Sequence, residues 1–190
     1  IFDEVITGFR VALGGAQERY RVTPDLAVFA KACAAGFPMA IIAGRRAVME
    51  EVMAGVVHGG TYNGLTSTVA ACRASIETLA ADGGAIYGKI EKQGQRLMTG
   101  LREIAKRRQV PLHAQGVGQI FTTVFTENGP LTHYRDYKAT DEQMRLAFVQ
   151  GMQDRGVRLT ARGTWFMSAV LRDADIDQTL EAADATLGAL

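Results

Sequence analysis

The sequence predicts an α/β protein in two parts, with residues 1–84 forming part of a large parallel-sheet domain and residues 85–190 a smaller C-terminal α+β domain. Three observations carry this prediction. Strand-length apolar runs alternate with short helical segments across the first part. A long helical period begins near Ile86 and is followed by strands and further helices. Asp3 and Lys31 each fall where a strand of the first part ends, and parallel α/β sheets bind ligands beyond such ends.

Taken in order, residues 1–6 read as a short buried strand, followed by a turn at Gly8 and a glycine-rich loop at Gly14 and Gly15. Residues 16–21 predict a short helix, closed by the turn at Thr23, Pro24 and Asp25. Residues 26–29 predict a second strand, with Lys31 immediately beyond it. Residues 40–43 predict a third, and residues 46–54 a helix. The run Val57-His58-Gly59-Gly60-Thr61-Tyr62-Asn63-Gly64 is a small-residue loop leading into a helix over residues 65–81. Free amides at a helix start beside a threonine hydroxyl make an anion site. A plain glycine turn with Thr61 as the helix cap fits the same residues.

Beyond Asp82-Gly83-Gly84 the period changes. Ile86, Ile90, Leu97, Leu101 and Ile104 mark the apolar face of a long helix. A strand follows over residues 120–126, after a turn at Gly116, Val117 and Gly118. Thr140 with Gln143 has the form of a capping box, ahead of a stripe of Met144, Ala147, Phe148 and Met152 that stops at Gly156. Residues 157–159 and 165–171 are strand candidates, and Asp173 caps a last helix with Ile176, Leu180, Ala183 and Leu187 inward. Residues 126–140 are the most loop-like stretch.

Composition narrows the function classes. The net charge is +1, and Lys106-Arg107-Arg108 is the only short cationic run. At a helix end it complements the helix dipole, and no basic face supports nucleic-acid binding. Lys31 and Pro38 interrupt the longest apolar run, which argues against a membrane span. Two unpatterned cysteines, Cys33 and Cys72, point to a reducing compartment such as the cytoplasm, and the separated His113 and His133 offer no metal set. The chain opens without methionine on what reads as the end of a strand. It is therefore expected to be the C-terminal portion of a longer protein, inactive by itself.

Lys31 is the only charged residue between Leu26 and Gly44. A lysine desolvated in such a run loses its proton more easily, and the neutral amine attacks a carbonyl to form a Schiff base. A half-buried lysine whose amine snorkels into water fits the same run. Asp3, Lys31 and Thr61 are read together: a carboxylate ending one strand, an isolated lysine following another, and a phosphate-type loop opening a helix. Pyridoxal phosphate needs a carboxylate at its pyridine nitrogen, a lysine at its aldehyde, and amides with a hydroxyl at its phosphate.

Asp3-Glu4-Val5-Ile6-Thr7-Gly8-Phe9-Arg10, Thr23-Pro24-Asp25-Leu26 before Lys31, and Gly60-Thr61-Tyr62-Asn63-Gly64 resemble the class III aminotransferases, pyridoxal-phosphate enzymes of fold type I. The stretch from Gly8 to Gln17 is similar to the glutamate-1-semialdehyde aminomutase branch. The resemblance covers essentially the whole chain but about the C-terminal half of a family member. It implies that Asp3 pairs with the pyridine nitrogen and that Val5 packs on one face of the ring. Lys31 forms the internal aldimine and shuttles the proton, and Thr61 binds the cofactor phosphate of the neighbouring subunit of a homodimer. The implied reaction moves an amino group between an amino acid or amine and a carbonyl acceptor.

Two departures matter. Ala34-Ala35-Gly36-Phe37-Pro38 stands where the family commonly has a glycine run, and Gly163-Thr164-Trp165-Phe166 stands where aminomutases carry a Glu-Ala-Gly-Phe stretch. Losing that acid favours a transaminase over the intramolecular aminomutase. A non-enzymatic α/β binding module is the remaining alternative. Arg162, beside a glycine turn, is either a partner for a substrate carboxylate or a solvated loop residue.

Overall fold

The computed structural model describes residues 1–190, which divide into two compact units, Ile1–Tyr87 and Gly88–Leu190. In the first, β1 (Phe2–Glu4) pairs in parallel with β2 (Leu26–Ala30), and β3 (Ala40–Gly44) lies on the other side of β2. Helices α1 (Gly15–Tyr20), α2 (Arg46–Met49) and α3 (Thr66–Ala80) complete the unit.

β1 stops short of Ile6 for a local reason. The Asp3 carboxylate accepts a hydrogen bond from the Val5 amide at 3.0 Å, and the Glu4 carbonyl accepts one from Gly8 N at 2.9 Å. An aspartate that captures the amide two residues on turns the chain out of a strand. Of the parallel sheet expected from the sequence, only β1 with β2 is parallel, whereas β3 runs antiparallel to β2. The link from Lys31 to Met39 holds only a 3-10 turn, Lys31–Ala34, and is shorter than the dozen or so residues a parallel crossover needs. The helix expected over residues 46–54 is also shorter, with α2 passing into a 3-10 turn at Glu50–Val52. Cys33, Ala34 and Cys72 are buried together, with Phe9, Met39, Ile41 and Ile76 packed against them.

Helix α4 (Ala85–Arg108) begins in the first unit and continues into the second. There β4 (Leu112–Val117), β5 (Ile120–Phe125) and β6 (Thr164–Phe166) form an antiparallel sheet in that order. Helices α5 (Tyr134–Lys138), α6 (Glu142–Asp154) and α7 (Asp173–Leu187) complete it. Leu97, Met98 and Leu101 of α4, Val124 and Phe125 of β5, Phe148 of α6 and Ala183 of α7 are buried. Trp165 stacks on Phe121 with ring centroids 5.4 Å apart, and its Nε1 donates to Thr123 Oγ1 at 3.2 Å.

Several local readings change. β4 takes in Gly116 and Val117 of the expected turn, its inward residues Leu112 and Ala114 being too few to announce a strand ahead of Gly116. Residues 157–159 form no strand, and the 165–171 candidate contracts to β6. The cap of α6 is Asp141, whose carboxylate accepts from Met144 N at 2.9 Å; the Thr140 hydroxyl donates instead to the Tyr137 carbonyl at 2.8 Å. Ala147 is exposed, while Arg145 is buried and bonds the Ala161 carbonyl and Glu142. The cap of α7 is Arg172, whose amide donates to Asp175 at 2.8 Å, with Asp173 as the first helical residue.

Candidate active site

Adjacent parallel strands bring Asp3 and Lys31 to one sheet edge. Asp3 is in register with Val28, and β2 runs on to Ala30, so Lys31 lies beyond the same end, about 10 Å further along at strand rise. Strand alternation turns Asp3 outward and Glu4 inward. The exposed Asp3 carboxylate is anchored through one oxygen by the Val5 amide. Val5 itself is half-buried beside it.

Lys31 departs from β2 with a φ of 51°, in the left-handed region, and opens the 3-10 turn. This backbone places Cys33 and Ala34 in the apolar cluster and leaves Lys31 exposed. The desolvated lysine expected from the apolar run is therefore not observed. The reason is the turn, which gives the buried positions to its neighbours. Lys31 borders an open cleft of about 540 Å³ with Arg10, Gly36, Phe37, Pro38 and Met39. Arg10 Nε donates to the Ile6 carbonyl at 3.1 Å, and burial lowers its guanidinium pKa from the usual value.

Glu4, to which the sequence assigns no role of its own, is the only buried acid. Burial pushes its carboxyl up, but hydrogen bonds from the Ala16 and Gln17 amides, the Thr7 hydroxyl and the Gln17 side chain outweigh this and hold it below the ordinary value. A sequence cue exists: an acid on the inward phase of a strand, followed by a turn, needs donors from that turn.

Thr61 is exposed in the turn between Gly60 and Leu65. It does not cap α3, which starts at Thr66 after Leu65 without a side-chain cap. Nor does it line the cleft beside Lys31. The chain thus brings Asp3, Val5 and Lys31 to one edge and leaves Thr61 outside the cleft. In the second unit Arg162 is exposed, in the turn ahead of β6. His113 bonds the Thr126 carbonyl at 3.1 Å, and His133 caps α5.

The donor set at this edge fits pyridoxal phosphate. A carboxylate with one oxygen anchored and the other free, an exposed amine and an open, largely apolar cleft beside it suit a flat aromatic aldehyde. A family profile described as Aminotransferase class-III matches residues 1–187. Glutamate-1-semialdehyde 2,1-aminomutase of Methanothermobacter thermautotrophicus is 39% identical over 194 residues, a match covering 100% of this chain and 45% of the relative. An omega-transaminase of Sphaerobacter thermophilus superposes with a TM-score of 0.84 at 25% identity, covering 98% of this chain and 43% of that one. A β-phenylalanine aminotransferase of Variovorax paradoxus gives 0.84 at 25% identity, over 99% and 44%. The chain spans under half the length of each of these proteins.

Proposed function

The chain belongs to the class III aminotransferase family, and on that premise we propose that it carries the cofactor lysine and ring-binding carboxylate of a pyridoxal-phosphate-dependent transaminase. The observation supporting this reading is that Asp3, next to the last residue of β1, and Lys31, just past β2, lie towards the same end of two parallel neighbours. When bound, pyridoxal phosphate supplies an aldehyde for a lysine amine and a ring that withdraws electrons from a carbanion. Lys31 Nζ would supply that amine and would move the proton taken from the substrate carbon. Its exposure at a cleft leaves it free to swing between these tasks. Asp3 holds a proton at the pyridine nitrogen through its free oxygen. Val5 covers one ring face.

Thr61 lies outside the cleft of its own chain, which suits the assignment that it binds the cofactor phosphate across a homodimer. Residues 1–84 are assigned to the large cofactor-binding domain and residues 85–190 to the small C-terminal domain. No helix is long and apolar enough to cross a membrane. The free thiols of Cys33 and Cys72 support placement in the cytoplasm. The substrates are small amines or amino acids and carbonyl acceptors.

In the complete protein, borohydride reduction should abolish an absorbance band near the visible edge and leave a label on Lys31. A Lys31→Ala protein with normal turnover would refute the assignment. The similarity to the aminomutase of M. thermautotrophicus supports a second reading, intramolecular amino transfer. Conversion of glutamate-1-semialdehyde to 5-aminolevulinate without an added acceptor distinguishes it.

A further inference from the structure

Glu4 follows Asp3 directly, so the two carboxylates leave β1 on opposite faces. Both oxygens of Glu4 are engaged from the buried side. Oε2 accepts from Thr7 Oγ1 at 2.8 Å and from Ala16 N at 2.7 Å. Oε1 accepts from Gln17 N at 3.0 Å and from Gln17 Nε2 at 3.4 Å. The Glu4 carbonyl takes Gly8 N as well. Gly15, at a φ of 73°, sits so close that a Cβ there would lie 2.8 Å from the Glu4 carboxyl carbon.

One side chain therefore fastens the turn after β1 and the start of α1 to the end of the strand. Within that turn, the Val5 amide holds the Asp3 carboxylate at 3.0 Å. We propose that Glu4 is a positioning residue: by clamping the turn that carries the Val5 amide, it fixes the direction of the Asp3 carboxylate, and so its grip on the ring nitrogen of pyridoxal phosphate. This rests on the reading of Asp3 and Lys31 given above. A glutamine in its place keeps the shape but turns an amide NH2 toward backbone N–H donors. The clamp then loses acceptors it cannot replace.

The test compares two ligands of the complete protein: pyridoxal phosphate and its deaza analogue, in which carbon replaces the ring nitrogen. Apparent affinities are measured by absorbance titration, alongside borohydride labelling of Lys31. Glu4→Gln should weaken pyridoxal phosphate about tenfold, the scale on which outer-shell partners act. It should leave the analogue unchanged and Lys31 still labelled. Equal weakening of both ligands with labelling intact would mean that Glu4 merely supports the fold, and would overturn the proposal alone. A parent protein that binds both ligands equally, or is not labelled at Lys31, would overturn the underlying reading and the role of Glu4 with it. Should E4Q fail to fold, Thr7→Val removes one donor from the clamp and must show the same selective loss to a smaller degree.

Discussion

Gly94 sits inside α4, where exchanging an unobstructed glycine for alanine normally stabilises by about 1 kcal/mol. At this position the sign should reverse. A Cβ would fall 2.5 Å from the carbonyl carbon and 2.8 Å from the Cα of Gly118, in the turn between β4 and β5. The obstacle is backbone, so no rotamer change relieves it. The Gly118 carbonyl oxygen is nearer still, so restoring ordinary contact requires helix and turn to part by about 1.5 Å, beside Leu97, Met98 and Leu101, and such overpacking costs about 1–3 kcal/mol. With the rigid obstacle placing the cost at the upper end, Gly94→Ala should lose about 2 kcal/mol net of its propensity gain. On a chain of this size that lowers Tm by roughly 4–8 °C. Gly88, with nothing within 4 Å of its would-be Cβ, is the control. Gly88→Ala should gain about 0.5–1 kcal/mol, or roughly 1–4 °C. Gly100→Ala falls between, because what it meets is the movable Leu180 side chain, at 2.6 Å. Thermal and urea unfolding of the three variants gives the order directly. The reasoning is refuted if G94A matches the parent, or if G88A loses as much as G94A.

Phe148 is fully buried and meets Phe125 edge-on with ring centroids 5.6 Å apart. Phe148→Ala should cost about 3–5 kcal/mol in urea unfolding, against little for the exposed Leu146→Ala. Asp184 is held at about 2 by hydrogen bonds first from Arg108 and then from Arg107. A depressed acid adds stability that is complete above its unfolded pKa, about 3.9, and is lost as pH falls towards the folded value. Asp184→Asn should therefore flatten the acid limb of stability between about pH 4 and pH 2. Raised salt should shrink the difference, because the pair is exposed. Cys33 and Cys72 are buried, and burial is the first cause of the raised Cys33 thiol pKa. A disulfide reagent should react with neither in the folded chain and with both in urea; rapid native reaction would contradict the packing.

Much of this was legible because period and chemistry agree. The alternation of β1 and β2 with turns, and the 3.6-residue stripe of α4, announce themselves in the sequence. Asp3 and Lys31 were readable because both stand at strand ends. β4 was hidden by its sparse apolar positions and by Gly116, and the antiparallel course of β3 depends on the length of its link, which periodicity does not report. The exposure of Lys31 was hidden for a similar reason: a left-handed backbone at a non-glycine residue is a tertiary outcome. Glu4 needed its donors in view, since three of them come from Ala16 and Gln17, far along the chain. The buried Arg145 breaks the expected α6 stripe because its guanidinium reaches the Ala161 carbonyl, which helical spacing cannot foresee.

The left-handed backbone of Lys31 has an evolutionary consequence. A non-glycine residue in this region carries a penalty of roughly 1 kcal/mol that glycine escapes. Selection for heat resistance alone would thus drift towards glycine at this site and discard the amine. If Lys31 is the cofactor lysine as proposed, a library sorted first for stability and then for cofactor capture should split at this single codon.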